Sequence, residues 1–306
     1  MNCRWNACIA VLLIVVLFLT PSAYSAPAKL SWKEAAQIAK LVFRNECDLR
    51  EKCLLSWNDG ENFLSLGLGH FIWYPAGKKG PFEESFPRFV EYVAKAEPEI
   101  IPDWLRPSAM QFPWKKRKDF LKDVSSPRRL QLEQFLRATT TYQVVFITER
   151  FYHAMEQLRS PQETGKDFSK KLDAILASPN GFYVLIDYIN FKGEGFSPSE
   201  RHRNQGWGLV QVLEEMDASA EEGDDAIREF VRSAKTVLKR RVRNVHWWQR
   251  QEKKWLLGWE KRLESYLSAE ASLGAGVSSP FCNSIENGVS RMGIAGLSDK
   301  AETAVH

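Results

Sequence analysis

The sequence predicts an α+β chain, mainly helical, with a small antiparallel sheet near the N-terminus. Three observations carry this. A capped, amphipathic helix pattern begins at Ser31. A glycine-punctuated stretch of short apolar runs follows, over residues 54–74. After Pro81 the apolar residues recur at helical spacing for most of the chain.

Residues 1–25 have the layout of a secretory signal. Arg4 is the one charge before an apolar run from Cys8 to Leu19. That run is shorter than the ~20 apolar residues a bilayer span takes. Ala23 and Ser25 fit the small-residue positions before a cleavage site, which places the cut after Ser25. Cys8 precedes most of the apolar run, so it does not read as a lipoprotein cysteine. The competing reading is an uncleaved anchor. Export predicts a periplasmic or secreted protein with no stable membrane insertion after cleavage.

Ser31-Trp32-Lys33-Glu34 is a capping box, and Ala35, Ile38, Ala39, Val42 and Phe43 follow at helical spacing. This helix should end near Asn45-Glu46. The runs LLSW, FLSLGL and FIWY, broken by Gly60, Gly67 and Gly69, read as three short strands. Asn58-Asp59-Gly60 is their strongest turn signal. Helices are expected near 83–95, 126–138, 140–159, 165–177, 182–191, 205–217, 222–243 and 248–268. Phe191 to Gly206 reads as a long loop. From Gly274 the chain is rich in Gly, Ser and Ala, which predicts a flexible tail over 273–306. Residues 26–272 are then one composite domain, although a boundary near Ser160–Thr164 is an alternative.

Composition narrows the function. The chain carries 42 Lys+Arg against 38 Asp+Glu, and cleavage would remove Arg4 alone. So mild a positive balance argues against a nucleic-acid partner and suits an anionic polymer such as a bacterial cell wall. The basic run at Lys239–Arg243 reads as a solvated face. Trp248, Trp255 and Trp259 fall at helical spacing and read as a buried stripe. Export permits disulfides, so Cys47 and Cys53 are expected to pair, leaving Cys282 odd. The cysteine and histidine spacings do not suit zinc, and no metal or organic cofactor is expected.

The chemistry gathers in about thirty residues. Glu46 ends the first helix, Asp59 sits in the first turn of the sheet, and Ser65 leads into Leu-Gly-Leu-Gly-His70. A proton donor, a second carboxylate and a hydroxyl on a strand are what cleavage of a glycosidic bond requires. The order Glu46…Asp59-x5-Ser65 followed by L-G-L-G-H resembles the active-site motif of phage-type lysozymes, Glu…Asp-x5-Thr followed by I-G-I-G-H. The resemblance covers about 45 residues. It implies a lysozyme-like fold, with a glycan bound between sheet lobe and helical lobe. It also implies Glu46 as the general acid, Asp59 as the second carboxylate, Ser65 as the water-holding hydroxyl, and His70 as a structural or hydrogen-bonding neighbour. Here the Glu–Asp interval is four residues longer and contains Cys47 and Cys53. Glu61, two positions beyond Asp59, is the substitute.

Each residue also has a plainer reading. Asn-Asp-Gly suits a hairpin turn whatever its function. Trp73 and Tyr74 fit either a glycan subsite or the core. Glu194 is a second carboxylate over a cleft, or part of a solvated loop. Trp207-Gly208-Leu209-Val210-Gln211 has a weaker similarity to the G-L-M-Q run of lytic transglycosylases and goose-type lysozymes. The expected function is an exported glycoside hydrolase acting on peptidoglycan or a related amino-sugar polymer. The alternatives are a lytic transglycosylase using Glu46 as sole acid/base, and a non-catalytic wall-binding or interaction protein.

Overall fold

The computed structural model describes residues 29–80, 82–198, 200–217, 222–245, 252–268 and Ile285. The chain divides into units 1–30 and 31–306, and every described helix and strand belongs to the second. The expected signal peptide lies outside the described residues. So does the expected tail, except for Ile285, which is buried.

The first helix, α1 (Trp32–Cys47), starts at the capping box. Ser31 Oγ accepts from the Glu34 N–H, and the Glu34 carboxylate accepts from the Ser31 N–H at 2.8 Å. It stops at Asp48, whose left-handed φ of 51° turns the chain out of the helix. Three antiparallel strands follow: β1 (Leu55–Ser56), β2 (Leu64–Leu66) and β3 (Phe71–Trp73), in that order across the sheet. The expected turn at Asn58–Gly60 joins the first two.

The rest is helical. α2 (Phe86–Ala96), α3 (Arg117–Lys122), α4 (Pro127–Ala138), α5 (Thr140–Arg159), α6 (Pro161–Thr164), α7 (Ser169–Leu176) and α8 (Gly181–Lys192) precede a small hairpin. After the hairpin come α9 (Leu209–Glu215), α10 (Asp224–Asn244) and α11 (Glu252–Ser265). The α8 sequence, GFYVLIDYINFK, is apolar nearly all round. It is accordingly buried at the centre, packed against α1, α5, α7 and α9. Among the described residues no helix is long and apolar enough to cross a membrane.

Several expectations need correcting. The segment Phe191–Gly206 is not a plain loop: β4 (Arg201–His202) pairs with β5 (Gln205–Gly206). Arg203 and Asn204 between them have φ of 52° and 61°, the positive values of a type I′ hairpin turn. The helix expected from 205 therefore starts only at Leu209, and the one expected from 165 starts at Ser169. The short α3 has no counterpart among the expected helices. Trp255 and Trp259 are half-buried, their rings 6.2 Å apart, so the tryptophan stripe is only partly covered; Trp248 lies outside the described residues.

Two features join the sheet to the helices. Phe71 stacks on Phe89 of α2 at 5.0 Å and meets Phe146 of α5 edge-on at 5.4 Å. The fully buried Gln143 of α5 accepts from the Leu68 N–H at 2.7 Å and donates to the Leu136 carbonyl at 2.7 Å. Gly67 is required at that approach. Its φ is +71°, and a Cβ there would come within 2.5 Å of the Gln143 amide oxygen.

Candidate functional site

Glu46 is presented by the last turn of α1, and His70 by the turn between β2 and β3. His70 is held at φ +48°, in the left-handed region. Its Nδ1 lies 3.3 Å from Glu46 Oε2. Its Nε2 faces the other way, 3.1 Å from Cys47 Sγ and 3.4 Å from Cys53 Sγ. The two sulfurs form the expected disulfide. These three side chains are also the one cluster among the described residues with metal-ligand geometry, within 4.8 Å of one another. As a disulfide the sulfurs are not thiolate ligands.

The other Glu46 oxygen is held from the opposite side. Arg262 of α11 reaches Oε1 with Nη1 at 2.8 Å, and Asn190 of α8 donates to it at 3.3 Å. Arg262 also grips the fully buried Asp187 with two parallel bonds, Nε to Oδ2 at 2.8 Å and Nη2 to Oδ1 at 2.7 Å. Asp187 accepts further bonds from Tyr266 at 2.5 Å and Asn45 at 3.1 Å. Burial opposes charge on Glu46, but Arg262 and His70 outweigh it and lower its pKa to about 2. Glu46 is therefore an ionised carboxylate throughout the physiological range.

Glu61 is a carboxyl within the electrostatic field of Glu46. It sits in the turn after β1, where Asn58 Nδ2 donates to Glu61 Oε2 at 3.1 Å and the Trp57 indole donates to its backbone carbonyl at 2.9 Å. Its pKa is raised, mainly by burial. The hydrogen bond from Asn58 and the field of His70 oppose that rise, while the negative field of Glu46 adds to it. Asp59 points to solvent, its side chain 95% exposed, with Arg117 3.5 Å away. Glu61 thus lies within the electrostatic field of His70 and Glu46, and the proton affinities of the two carboxyls are driven in opposite directions.

The remaining candidates separate. Ser65 is buried in the middle strand, in register with Ser56 and Ile72. Trp73 is in the core between Phe86 and Phe112, at 5.0 and 4.9 Å. Tyr74 packs edge-on to Phe63 and donates from its hydroxyl to the Phe82 carbonyl at 3.3 Å. Glu194 pairs with Arg150 at 2.9 Å. It lines a cavity of about 160 Å3 together with Gly69, Phe146, Asn190 and Glu200. Asn190 belongs to both places, since the same amide donates to Glu46. Glu200 is buried in this cavity, and its pKa is raised to about 7 by burial, then by Glu194.

Arg262, Asp187 and Glu200 escaped the sequence reading. Asp187 left a signal: a carboxylate in the middle of an apolar helix must be paired. Arg262 lies on a charged helix, and Glu200 follows a Ser-Pro-Ser run, so neither stood out. Gln211, in the run similar to transglycosylases, is used structurally: it accepts from the Gly208 N–H at 2.9 Å and donates to the Gly195 carbonyl at 3.1 Å. No family model, curated protein or solved structure matches the chain.

Proposed function

We propose that the protein is an exported glycan-cleaving enzyme with a lysozyme-like site, acting on peptidoglycan or a related amino-sugar polymer. Glu61 is the proton donor and Glu46 the ionised carboxylate. The observation that carries this is the opposed behaviour of two carboxyls that both feel the field of His70. An acid and a base are told apart by environments that push their pKa values in opposite directions. Glu61 keeps a proton above the usual carboxylate range and gives it to the departing glycosidic oxygen. Glu46, held by Arg262, Asn190 and His70, stays charged and supports the sugar cation or the attacking water. The resemblance places the acid on Glu46; a carboxyl with a pKa near 2 suits the other role better.

The Arg262–Glu46–Asp187 lock favours a second reading, a glycan-binding protein without turnover, because it ties up the first carboxylate. A digest separates the two. Purified peptidoglycan is incubated with residues 26–306 and with Glu46→Gln and Glu61→Gln variants, and soluble products are weighed by mass spectrometry. Reducing-end fragments from the wild type are expected, falling by about 10²–10⁴ in each variant. Anhydro-sugar ends would move the reading to a transglycosylase. Sedimentation of the wild type with the wall and no products would move it to the binding protein.

A further inference from the structure

The corner formed by α3 and the start of α4 carries both charge and apolar surface outward. Residues 115–130 hold seven Lys and Arg against Asp119 and Asp123. Two of the cations serve the fold. Arg117 donates from Nε to the Trp57 carbonyl at 2.8 Å and lies 3.5 Å from Asp59, and Arg129 meets Glu133 at 3.0 Å. Lys115, Lys116, Lys118, Lys122 and Arg128 are exposed, and none is ion-paired among the described residues. Asp123 is committed to the Trp114 indole at 2.8 Å and the Ser126 hydroxyl at 2.7 Å. Even with Asp59 and Glu133 counted in, seven cations meet four carboxylates, so the corner stays positive. Five large apolar side chains are exposed among the described residues, and three are here: Leu121 at 51%, Val124 at 69% and Leu130 at 50%. Single exposed leucines are ordinary; three within ten residues, set among free cations, mark a contact surface. Lys118, Leu121 and Lys122 stand at i, i+3 and i+4, on the face of α3 turned from the buried Phe120. The corner is fastened from within. Phe120 packs on Trp114 at 5.1 Å and Trp57 at 6.0 Å, and Arg129 Nη1 donates to the carbonyls of Phe120 at 3.0 Å and Asp123 at 2.7 Å. That staple ties the first turn of α4, with Arg128 and Leu130, to the end of α3.

We propose that this corner docks the protein peripherally on an anionic phospholipid surface, with Leu121 and Val124 entering the boundary between headgroups and acyl chains and the free Lys and Arg meeting the lipid phosphates. An anionic bilayer complements both halves of the surface, negative charge at the headgroups and hydrocarbon just beneath. A charged polymer would engage the cations and leave the apolar side chains in water. An apolar protein groove would cover the side chains and leave five cations without a partner. Each Lys or Arg near such a bilayer raises partitioning about fivefold, and each apolar side chain taken from water adds to that. Attachment of this kind involves no membrane span. It does not rest on the glycan reading, since none of these residues contacts Glu46, His70 or Arg262.

The test is co-sedimentation of residues 26–306 with vesicles of phosphatidylcholine alone and of phosphatidylcholine mixed with an equal part of phosphatidylglycerol, at low and high salt. The mixed vesicles should bind the protein at least about tenfold better than the neutral ones, and salt should weaken that binding. Lys118→Gln with Lys122→Gln should lower partitioning by about tenfold or more and make the salt dependence shallower. Leu121→Ser with Val124→Ser leaves every charge in place and should lower partitioning on the mixed vesicles by about tenfold. All four side chains are exposed, so both variants should keep the wild-type circular dichroism and urea midpoint. Failure of the wild type to sediment with the mixed vesicles at low salt overturns the proposal, and so does equal binding to neutral vesicles. Undiminished binding by the Leu121/Val124 variant also overturns it, because the cations would then act alone, as they would on a charged polymer.

Discussion

At the scale of single residues, the pair Glu46 and Glu61 makes the sharpest demands. Glu46 is ionised down to about 2 and the pKa of Glu61 is raised above its ordinary 4.5, so the proposed mechanism requires the form with Glu46 charged and Glu61 neutral. Activity on wall fragments should therefore rise as pH climbs through about 2. It should fall again as pH passes the raised pKa of Glu61, giving an acid-side optimum. A pH–rate profile checks this, and an optimum above pH 8 would contradict it. Arg262 is the second residue with a clear prediction. It is the cation for two carboxylates, one of them fully buried. Arg262→Gln leaves Asp187 uncompensated and should cost about 3–5 kcal/mol of stability, read from urea unfolding. Arg262→Gln with Asp187→Asn should recover part of that loss, because the Asp187 charge is then gone while Glu46 still lacks its cation.

At the scale of elements, the contact between the sheet and α5 is the joint that holds His70 in place. Gly67→Ala forces a side chain onto a residue at φ +71° and against the Gln143 amide. The strained backbone alone costs about 1–3 kcal/mol, and displacing Gln143 strips the Leu68 N–H of its acceptor. A lowered urea midpoint together with a changed His70 NMR signal is the expected result. The Cys47–Cys53 bridge closes a short loop between α1 and β1, so Cys47→Ser with Cys53→Ser should cost about 2 kcal/mol by loop entropy. The elements were legible in the sequence wherever local chemistry decides them. The capping box set the start of α1, the glycines set the three strands, and apolar spacing located α4, α5 and α8. The β4–β5 hairpin was not legible. Its turn is Arg203-Asn204, with no glycine, and strands of two residues carry no alternation to read.

At the scale of the whole molecule, the site joins residues up to 216 positions apart, Glu46 and Arg262, which is why its motif was readable and its wiring was not. The sequence places Glu46, Glu61 and His70 within one short segment. The partners that set their charge come from α8 and α11, and only the packed fold brings them together. This wiring dictates how stability depends on pH. Glu46 has a folded pKa of about 2 against an ordinary 4.5. Its contribution, on the order of 3 kcal/mol, is present above 4.5 and is lost as pH falls through 2. Glu200 acts in the opposite sense, with a folded pKa of about 7. The unfolded chain gives up that proton near 4.5 while the folded one keeps it, so stability declines as pH rises from 4.5 to 7, again on the order of 3 kcal/mol. Glu61, also raised, adds to that decline. The two arms predict maximal stability near pH 4.5, below the usual range between ~5 and 8. Urea midpoints measured from pH 2 to 8 should trace this peak. Glu46→Gln should flatten its acid arm and Glu200→Gln its neutral arm. A wild-type profile level between pH 4.5 and 7 would mean that Glu200 titrates like an exposed carboxyl, and that the cavity beside Asn190 is wetter than its walls suggest.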